Sequence, residues 1–431
     1  MKNIVALSRF HGGKPARWFG NFRRTNSAGT GLFAVLLLAV LCSGCDGLNS
    51  ETGLIAIGST VDLAKIGRDP DYPLDGNYYL SSNIILPDSP AWQSIGPDLP
   101  FTGTFDGRDY TIRNLKLDEG TGIYPDRFIG LFGCTYSASI ENLNIELANS
   151  EANPIILSSV DKQYVGAVAG YGERTSFSNI VIRTAGNAGS INIRKSTGDI
   201  YAGGIAGKID QGSVIKNSYS LAALNVETAG GGAWAGGLAG ENDGFITNSY
   251  TAGNVSAESD TSHNAYAGGI TGNNAGAVEN AYTAGDISVK NSGAAYAGGI
   301  AGASTSNAIA HCAVLGAAIN AVGVSVQDAG RITGTAITLR ADNFALDAMT
   351  LASATDPAVP STPTTITGIS PTDENGADKT SVDLETPETY SDPSGLGWDF
   401  VEVWDWDSDA NRPKIRQENS SPPAIPIPVI P

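Results

Sequence analysis

The chain has 431 residues, of which 53 are glycine and 21 are proline, and only 16% are charged. This composition is unlike that of a helical protein, and an apolar content of 41% is too high for a disordered one. The formal net charge of −18 repels nucleic acid and anionic lipid head groups, which excludes both as partners of the folded surface.

The first 44 residues predict an export signal. Six basic residues and no acidic residue precede an apolar run from Leu32 to Leu41, which is too short for a permanent membrane-spanning helix. The run ends in Leu-Cys-Ser-Gly-Cys over residues 41–45, and this sequence resembles a lipobox. The resemblance implies that Cys45 is lipidated, becomes the mature N-terminus and is followed by an anchor linker over residues 45–53. An ordinary cleaved signal and an uncleaved anchor are the alternatives.

The mature chain is strongly acidic and poor in cysteine and histidine. Loss of the six basic residues leaves 20 basic against 44 acidic residues, a net charge of −24. We interpret this charge as solubilising, with divalent cations or basic partners as the alternative. Cys134 and Cys312 are too few for a disulfide framework, and we predict that they do not pair. His263 and His311 offer little for a metal site or a Ser-His-Asp triad.

Residues 54–127 are predicted to form an N-terminal cap and the first rungs of a repeat. A short helix is expected from Thr60 to Ile66, with Thr60 as its N-cap. Residues 74–117 then supply the first strands.

Residues 128–330 repeat a piece in which an aromatic residue stands two positions before a glycine. That glycine recurs at spacings of 36, 37, 33, 32 and 30 residues. The glycines of the clearest copies are predicted to allow the close approach of another backbone; they are Gly203, Gly207, Gly236, Gly240, Gly268, Gly272, Gly298 and Gly302. The aromatic column is predicted to be a stacked structural ladder, with a ligand-binding stripe as the alternative; it comprises Tyr164, Tyr201, Trp234, Tyr266 and Tyr296.

A second repeated piece alternates with period two. Its invariant positions are Asn217, Asn248 and Asn280, each followed two residues later by Tyr219, Tyr250 or Tyr282. We predict that asparagine and tyrosine share the inward face, where the asparagine amides form a ladder from rung to rung. The varying slot, occupied by Lys216, Thr247 and Glu279, is predicted to face water.

Together these pieces predict an all-β fold: a right-handed parallel β-solenoid, or β-helix, with N- and C-terminal caps. Three strands in about 30 residues suit one coil, with rungs roughly 4.8 Å apart. The right hand follows from the crossover rule for parallel strands. A propeller ranks second because each blade needs four strands and about 40–50 residues.

The run from Gly236 to Gly253 resembles the GLUG motif, and the copies starting at Gly203, Gly268 and Gly298 match it less closely. Such repeats occur in bacterial surface proteins, including haemagglutinin-like adhesins and IgA-specific metallopeptidases. Segments near residues 101–115 and 398–413 resemble the opening and closing parts of the same group, so the resemblance covers roughly residues 54–416. It implies a surface protein of repeated architecture and transfers no catalytic residue.

Residues 331–416 are predicted to form the C-terminal cap, with a short helical or strand segment from Asn343 to Leu351 and an irregular loop over 353–380. We expect Trp398, Trp404 and Trp406 to plug the apolar end of the solenoid, with a sugar-stacking platform as the alternative.

The last part of the chain contains an acidic run and a proline-rich tail. Asp405, Asp407 and Asp409 alternate as at the start of a calcium loop, but the glycine and the final glutamate of such a loop are missing. An acidic turn is therefore the preferred interpretation, calcium is the minor alternative, and no other cofactor is predicted. Residues 417–431 form a proline-rich tail that cannot pack at the centre of a sheet.

The predicted function is that of a non-enzymatic, lipid-anchored cell-envelope repeat protein of the outer membrane or cell surface. It would bind a surface ligand, a glycan or a protein, in an adhesin-like manner. A polysaccharide-active β-helix enzyme is the first alternative; it needs clustered carboxylates, whereas Glu241 and Asp243 occupy variable slots. A purely structural envelope spacer is the second. The His-Glu-x-x-His motif of a metallopeptidase does not occur in the sequence.

Overall fold

Parallel strands stack in register into four long sheets, which confirms the predicted all-β, parallel β-solenoid. The computed structural model describes residues 53–117, 127–148, 155–157, 162–185, 190–195, 197–260, 262–306, 308–335, 339, 342–355, 364–365 and 370–416. The export signal, Cys45 and the proline-rich tail lie outside these residues.

Two of the sheets come from the glycine-rich piece of the repeat. The aromatic sheet consists of Arg127–Ile129, Gln163–Gly166, Ile200–Gly203, Ala233–Gly236, Ala265–Gly268, Ala294–Gly298 and Val326–Gly330. The glycine sheet consists of Phe132–Tyr136, Ala169–Glu173, Ala206–Ile209, Ala239–Asn242, Thr271–Asn274 and Ala301–Ser304.

The asparagine sheet carries the second repeated piece and the polar sheet carries the third. The asparagine sheet consists of Leu54–Ile57, Asn77–Leu80, Ile84–Ile85, Thr104–Asp106, Thr111–Leu115, Ser139–Leu147, Ser176–Thr184, Val214–Lys216, Tyr219–Ser220, Phe245–Thr251, Ala277–Thr283, Ile309–Ala310, Ala313–Val314, Phe344–Leu346 and Ala377–Lys379. The polar sheet consists of Ile155–Leu157, Ser190–Lys195, Ala223–Thr228, Val255–Ser259, Ile287–Asn291, Ala318–Gly323, Thr350–Ala354 and Thr364–Thr365, the last strand being antiparallel.

Each complete coil therefore has four strands, and the expectation of three is wrong. The glycine-rich piece, which reads as one strand in the sequence, turns sharply and forms two. A Cβ atom at Gly236 would lie 1.9 Å from the carbonyl oxygen of Ala239 beyond the turn, so only a residue without a side chain fits there. The predicted close approach of backbones at the repeated glycines is thus present.

The predicted inward direction of the asparagines is wrong, although the predicted amide bond from rung to rung is present between two earlier copies, where Asn179 Nδ2 donates to Asn142 Oδ1 at 2.8 Å. Asn217, Asn248 and Asn280 have φ angles of 51°, 49° and 53°, in the left-handed region that asparagine tolerates better than most residues. A left-handed residue shifts the alternation of the strand by one position. The residue after each asparagine, such as the buried Ser249, therefore points inward, and the tyrosine that follows it points outward.

Serine hydroxyls replace the predicted amides at this inward position. Ser218 Oγ accepts from the backbone N–H of Ile180 at 3.0 Å, and Ser249 Oγ accepts from that of Ser218 at 3.2 Å. These bonds satisfy backbone groups where the bend interrupts the regular ladder. A buried amide ladder does exist in the glycine sheet, where Asn242 Nδ2 donates to Asn274 Oδ1 at 2.7 Å.

The ends of the solenoid differ in detail from the prediction. The first helix spans Thr60–Lys65, and its N-cap is Ser59 rather than Thr60. The segment from Asn343 to Leu351 contains the strand Phe344–Leu346, which continues the asparagine sheet, and the start of the strand Thr350–Ala354, which continues the polar sheet. The strand Ala377–Lys379 also continues the asparagine sheet. The predicted loop over 353–380 therefore contains short strands.

The remaining described residues, 381–416, form a segment that we call the strap. It contains the short helices Ser381–Leu384 and Glu388–Ser391 and an antiparallel hairpin of Trp404–Asp407 and Arg412–Ile415. The strap lies against the outer side of the asparagine sheet, where Tyr282 Oη donates to the carbonyl oxygen of Pro413 at 2.7 Å. In the described residues, no helix is long and apolar enough to cross a membrane.

Candidate functional site: the aromatic column

Six aromatic rings stack along the outer side of the aromatic sheet, and we call them the aromatic column. Successive ring centroids are 5.5, 4.9, 4.3, 5.5 and 4.9 Å apart, and neighbouring planes lie within 27° of parallel. The members are Phe128, Tyr164, Tyr201, Trp234, Tyr266 and Tyr296. In-register pairing of the strands places each ring directly over the next one. The column is thus the stacked ladder that the repeat predicts.

The aromatic column is partly exposed to solvent, and the exposed parts are the edges of its rings. Five of its rings are half-buried and Tyr201 is buried. Lys162 Nζ lies 5.8 Å from the Tyr201 ring centroid, and the Tyr201 ring stacks between those of Tyr164 and Trp234. Because each internal ring has a neighbour on both faces, the column presents ring edges and hydroxyl groups to a ligand, not ring faces.

A second column of side chains on the glycine sheet runs beside the rings. The Tyr171 ring contacts those of Phe128 and Tyr164, with centroids 5.5 and 6.3 Å apart. Strand register places Lys208 and then Glu241 at the position of Tyr171 in the next two coils. Charged groups therefore lie alongside the middle of the aromatic column.

Lys208 joins two acidic side chains of the following coil in a half-buried cluster. Its Nζ lies 2.8 Å from Asp243 Oδ2 and 3.3 Å from Glu241 Oε1. Burial alone lowers the pKa of Lys208, but the two carboxylates outweigh it and raise that pKa. Burial, together with the like charge of Asp243, raises the pKa of Glu241 in spite of the lysine. Nearby, Tyr171 Oη donates to Asp210 Oδ2 at 2.7 Å.

The predicted tryptophan site lies elsewhere and is closed. Trp398 and Trp404 are buried beneath the strap, and their rings contact the Tyr282 ring with centroids 6.2 and 6.0 Å away. Trp398 Nε1 donates to the carbonyl oxygen of His311 at 2.8 Å. These rings and the half-buried Trp406 cover the side of the solenoid, so the expectation of an end plug is wrong and no open platform is formed. The reason is the outward direction of the tyrosines, which gives the tryptophans a lateral surface to pack on.

The acidic run forms a turn. Asp407 Oδ1 accepts from the backbone N–H groups of Asp409 and Ala410 at 3.0 and 3.2 Å, and Asp405 Oδ1 lies 3.8 Å from Arg416 Nη2. These contacts are those of the acidic-turn interpretation. Within the described parts of the chain, no three His, Cys, Asp or Glu residues are grouped so that they could hold a metal ion.

The two remaining cysteines are free thiols: Cys134 lies in the strand Phe132–Tyr136 of the glycine sheet, and Cys312 lies between two short strands of the asparagine sheet. Burial raises the pKa of both Cys134 and Cys312 to about 12, so both stay protonated at neutral pH. The flanking column of Tyr171, Lys208 and Glu241 is not among the residues predicted from the sequence. Its signal was available, since these residues hold one position in consecutive copies of the repeat.

No family model and no curated protein matches the chain. Among solved structures, it is similar to a Bacteroides ovatus protein provisionally named an immunoglobulin A1 protease, at 19% identity and a TM-score of 0.49, covering 86% of this chain and 94% of that one. A structure named IgA1 Protease matches 75% of this chain and 23% of its own length, at 16% identity and a TM-score of 0.47. Neither likeness assigns an activity to this chain, and the GLUG resemblance stays a prediction.

Proposed function

We propose that the chain is a non-enzymatic, lipid-anchored cell-envelope protein that binds an extended surface ligand along the aromatic column in an adhesin-like manner. The observation that carries this proposal is the partial solvent exposure of that column in the described structure. A second stacked column, of Tyr219, Tyr250 and Tyr282, is buried, and Trp404 of the strap packs on its Tyr250 and Tyr282 rings, whereas five of the six rings of the aromatic column are only half-buried.

A continuous aromatic strip on a protein surface is a typical binding site. Exposed apolar patches bordered by polar groups mark interaction surfaces, and aromatic residues are enriched at their centres. Here the flanking Lys208, Glu241 and Asn264 supply polar groups that can fix the orientation of a ligand. The regular repetition of the rungs favours a ligand that is itself extended and periodic.

The attachment to the envelope rests on the sequence of the first 45 residues. Lipidation at Cys45 would hold the base of the solenoid at the membrane and leave the aromatic column free to meet a glycan or a protein outside the cell. The strong negative charge of the mature chain opposes lateral contact with anionic lipid.

A polysaccharide-cleaving enzyme is the second candidate, and one observation favours it: burial raises the pKa of Glu241, as a general acid requires. Against it, Lys208 Nζ lies within 3.3 Å of both carboxylates of the pair. A glycosidase needs the space between its carboxylates for the sugar and the attacking water. The binding function is therefore the proposal.

The test uses purified mature protein on a glycan array and on a panel of envelope and host-surface proteins. We expect Trp234→Ala to weaken binding to every captured ligand at least about tenfold, because it removes a central, half-exposed ring. Tyr110→Ala, at a half-buried tyrosine that precedes the strand Thr111–Leu115 of the asparagine sheet, is the matched control and should bind normally. Equal binding by both variants would refute the aromatic column as the site. Release of reducing ends from a bound glycan, lost in Glu241→Gln, would establish the enzymatic alternative.

A further inference from the structure

The aromatic column ends at Tyr296, and an acidic residue takes the place of the next ring. Strand register puts Asp328 at the column position of the following coil. Tyr266 stacks on one side of the Tyr296 ring with centroids 4.9 Å apart, and no described aromatic ring stacks on the other side. Burial, then Tyr266, then the charge of Asp328 raise the pKa of Tyr296, which is consistent with a carboxylate close to this ring. The last ring thus differs from the internal rings, whose two faces are both covered.

Asp328 lies in the strand Val326–Gly330, which is the last strand of the aromatic sheet and has an open outer edge. The neighbouring glycine, asparagine and polar sheets continue past this coil, through Thr333, Phe344–Leu346 and Thr350–Ala354 respectively. In the part of the chain that the structure describes, Val326–Gly330 pairs with a strand on one side only. Such an edge presents unpaired backbone N–H and C=O groups, which can pair with a further strand.

The outward side chains of this edge combine apolar surface with a carboxylate that has no partner. Val326 is 37% exposed, and Val324, two residues before it, is 57% exposed. Asp328 is exposed, and it makes no ion pair or side-chain hydrogen bond with any described residue. Alternation along the strand puts Val326 and Asp328 on the side of the sheet that carries Tyr296. The edge therefore offers apolar contacts and one uncompensated negative charge beside an aromatic ring.

We propose that this edge captures an extended segment of a basic partner protein by strand addition, with an arginine of that segment paired to Asp328. The inference rests on the proposed function, since it names a partner class for the last rung of the aromatic column. In strand addition, main-chain hydrogen bonds supply affinity and alternate side chains supply specificity. A guanidinium group can pair with both oxygens of a carboxylate and also stack on an aromatic face, which Asp328 and Tyr296 together provide.

Charge favours this occupant over a second copy of the chain. The mature chain has a net charge of −24, so a second copy would bring more negative charge to the edge, including its own Asp328. Charges on edge strands oppose pairing between identical edges in this way. A basic segment is instead attracted at long range and gains an ion pair on contact.

The experiment measures the fluorescence anisotropy of a labelled peptide added to the purified mature protein. The peptide carries valine, valine and arginine at alternate positions, separated by threonines, and should bind saturably. Asp328→Asn should weaken binding at least about tenfold, because it removes the charge of the pair and keeps the shape of the side chain. Tyr296→Ala should weaken it at least about threefold, because it removes the stacking face. Asp260→Asn, at another exposed aspartate, which follows the strand Val255–Ser259 of the polar sheet, is the matched control and should bind normally.

Two changes to the peptide test the geometry independently of the stability of the protein variants. Citrulline in place of arginine removes the charge and should weaken binding at least about tenfold to the natural protein, but little to Asp328→Asn. Methylation of every second backbone nitrogen can be placed in two phases. One phase should abolish binding and the other should preserve it, because only alternate N–H groups of an added strand point at the edge.

Three results would overturn the inference. The first is no saturable binding of the arginine peptide, and the second is equal binding of the arginine and citrulline peptides. The third is self-association of the mature protein that Val326→Lys abolishes, without peptide binding, which would assign the edge to a second copy. Failure of the peptide interaction with retained, Trp234-dependent ligand capture would leave the proposed function standing.

Discussion

The left-handed φ angles of the asparagines predict that the relative stability of glycine and alanine variants reverses between one residue and its neighbour. At Asn248, with φ of 49°, an ordinary L-residue costs about 1–2 kcal/mol more than it would in a right-handed or extended conformation, whereas glycine has no such cost. At the adjacent Thr247, in the strand Phe245–Thr251, glycine is instead the less stable choice by about 0.5–1 kcal/mol relative to alanine.

The order of stability should therefore invert between the two positions. We expect Asn248→Gly to be more stable than Asn248→Ala by about 1 kcal/mol, and Thr247→Ala to be more stable than Thr247→Gly by about 0.5–1 kcal/mol. Urea unfolding of the four mature variants, followed by circular dichroism, measures the differences at constant m-value. The same order at both positions would refute the left-handed assignment and restore the inward asparagine ladder.

Three further outcomes follow from the contacts described above. Gly236→Ala should lower the free energy of unfolding by about 3 kcal/mol or prevent folding, because the new Cβ would lie 1.9 Å from a backbone oxygen; urea unfolding measures this, and a neutral result would contradict the sharp turn. Trp404→Ala should weaken docking of the strap by about 3–5 kcal/mol, seen as faster hydrogen exchange over residues 381–416 with an unchanged solenoid transition. Cys45→Ser should release the protein from the membrane fraction, since serine cannot form the lipid thioether, while Cys42→Ser should not; a membrane-bound Cys45→Ser protein would exclude the lipoprotein prediction.

The period of the sequence was sufficient to predict the solenoid. Parallel rungs bring equivalent residues of successive copies into direct contact, so the pairing of Tyr201 with Trp234 follows from their places in the repeat. The number of strands per coil could not be predicted in the same way. A run of glycine and alanine looks the same in one straight strand as in two strands joined by a tight turn, because neither arrangement needs a distinctive side chain.

The sequence also could not give the direction of the outward tyrosines. Alternation with period two holds only while every residue stays extended, and one left-handed residue shifts it. Asparagine is frequent both in such bends and in stacked amide ladders, so its identity does not separate the two. The position of the strap depends on this direction, and on a contact between Tyr282 and Pro413, 131 residues apart, that no local pattern encodes.

Tyr282 and Tyr266, one from each aromatic column, differ in how their hydroxyl groups are satisfied. Tyr282 Oη donates to a carbonyl of the strap, and burial raises the pKa of Tyr282 well above its ordinary value, so this column is completed within the chain. On the aromatic column, Tyr266 Oη accepts from exposed Asn264. Covering a column of tyrosines thus requires an acceptor for each buried phenol as well as apolar contacts. A ligand that covers Tyr266 must meet the same requirement, so we expect it to place a hydrogen-bond acceptor opposite Tyr266 Oη.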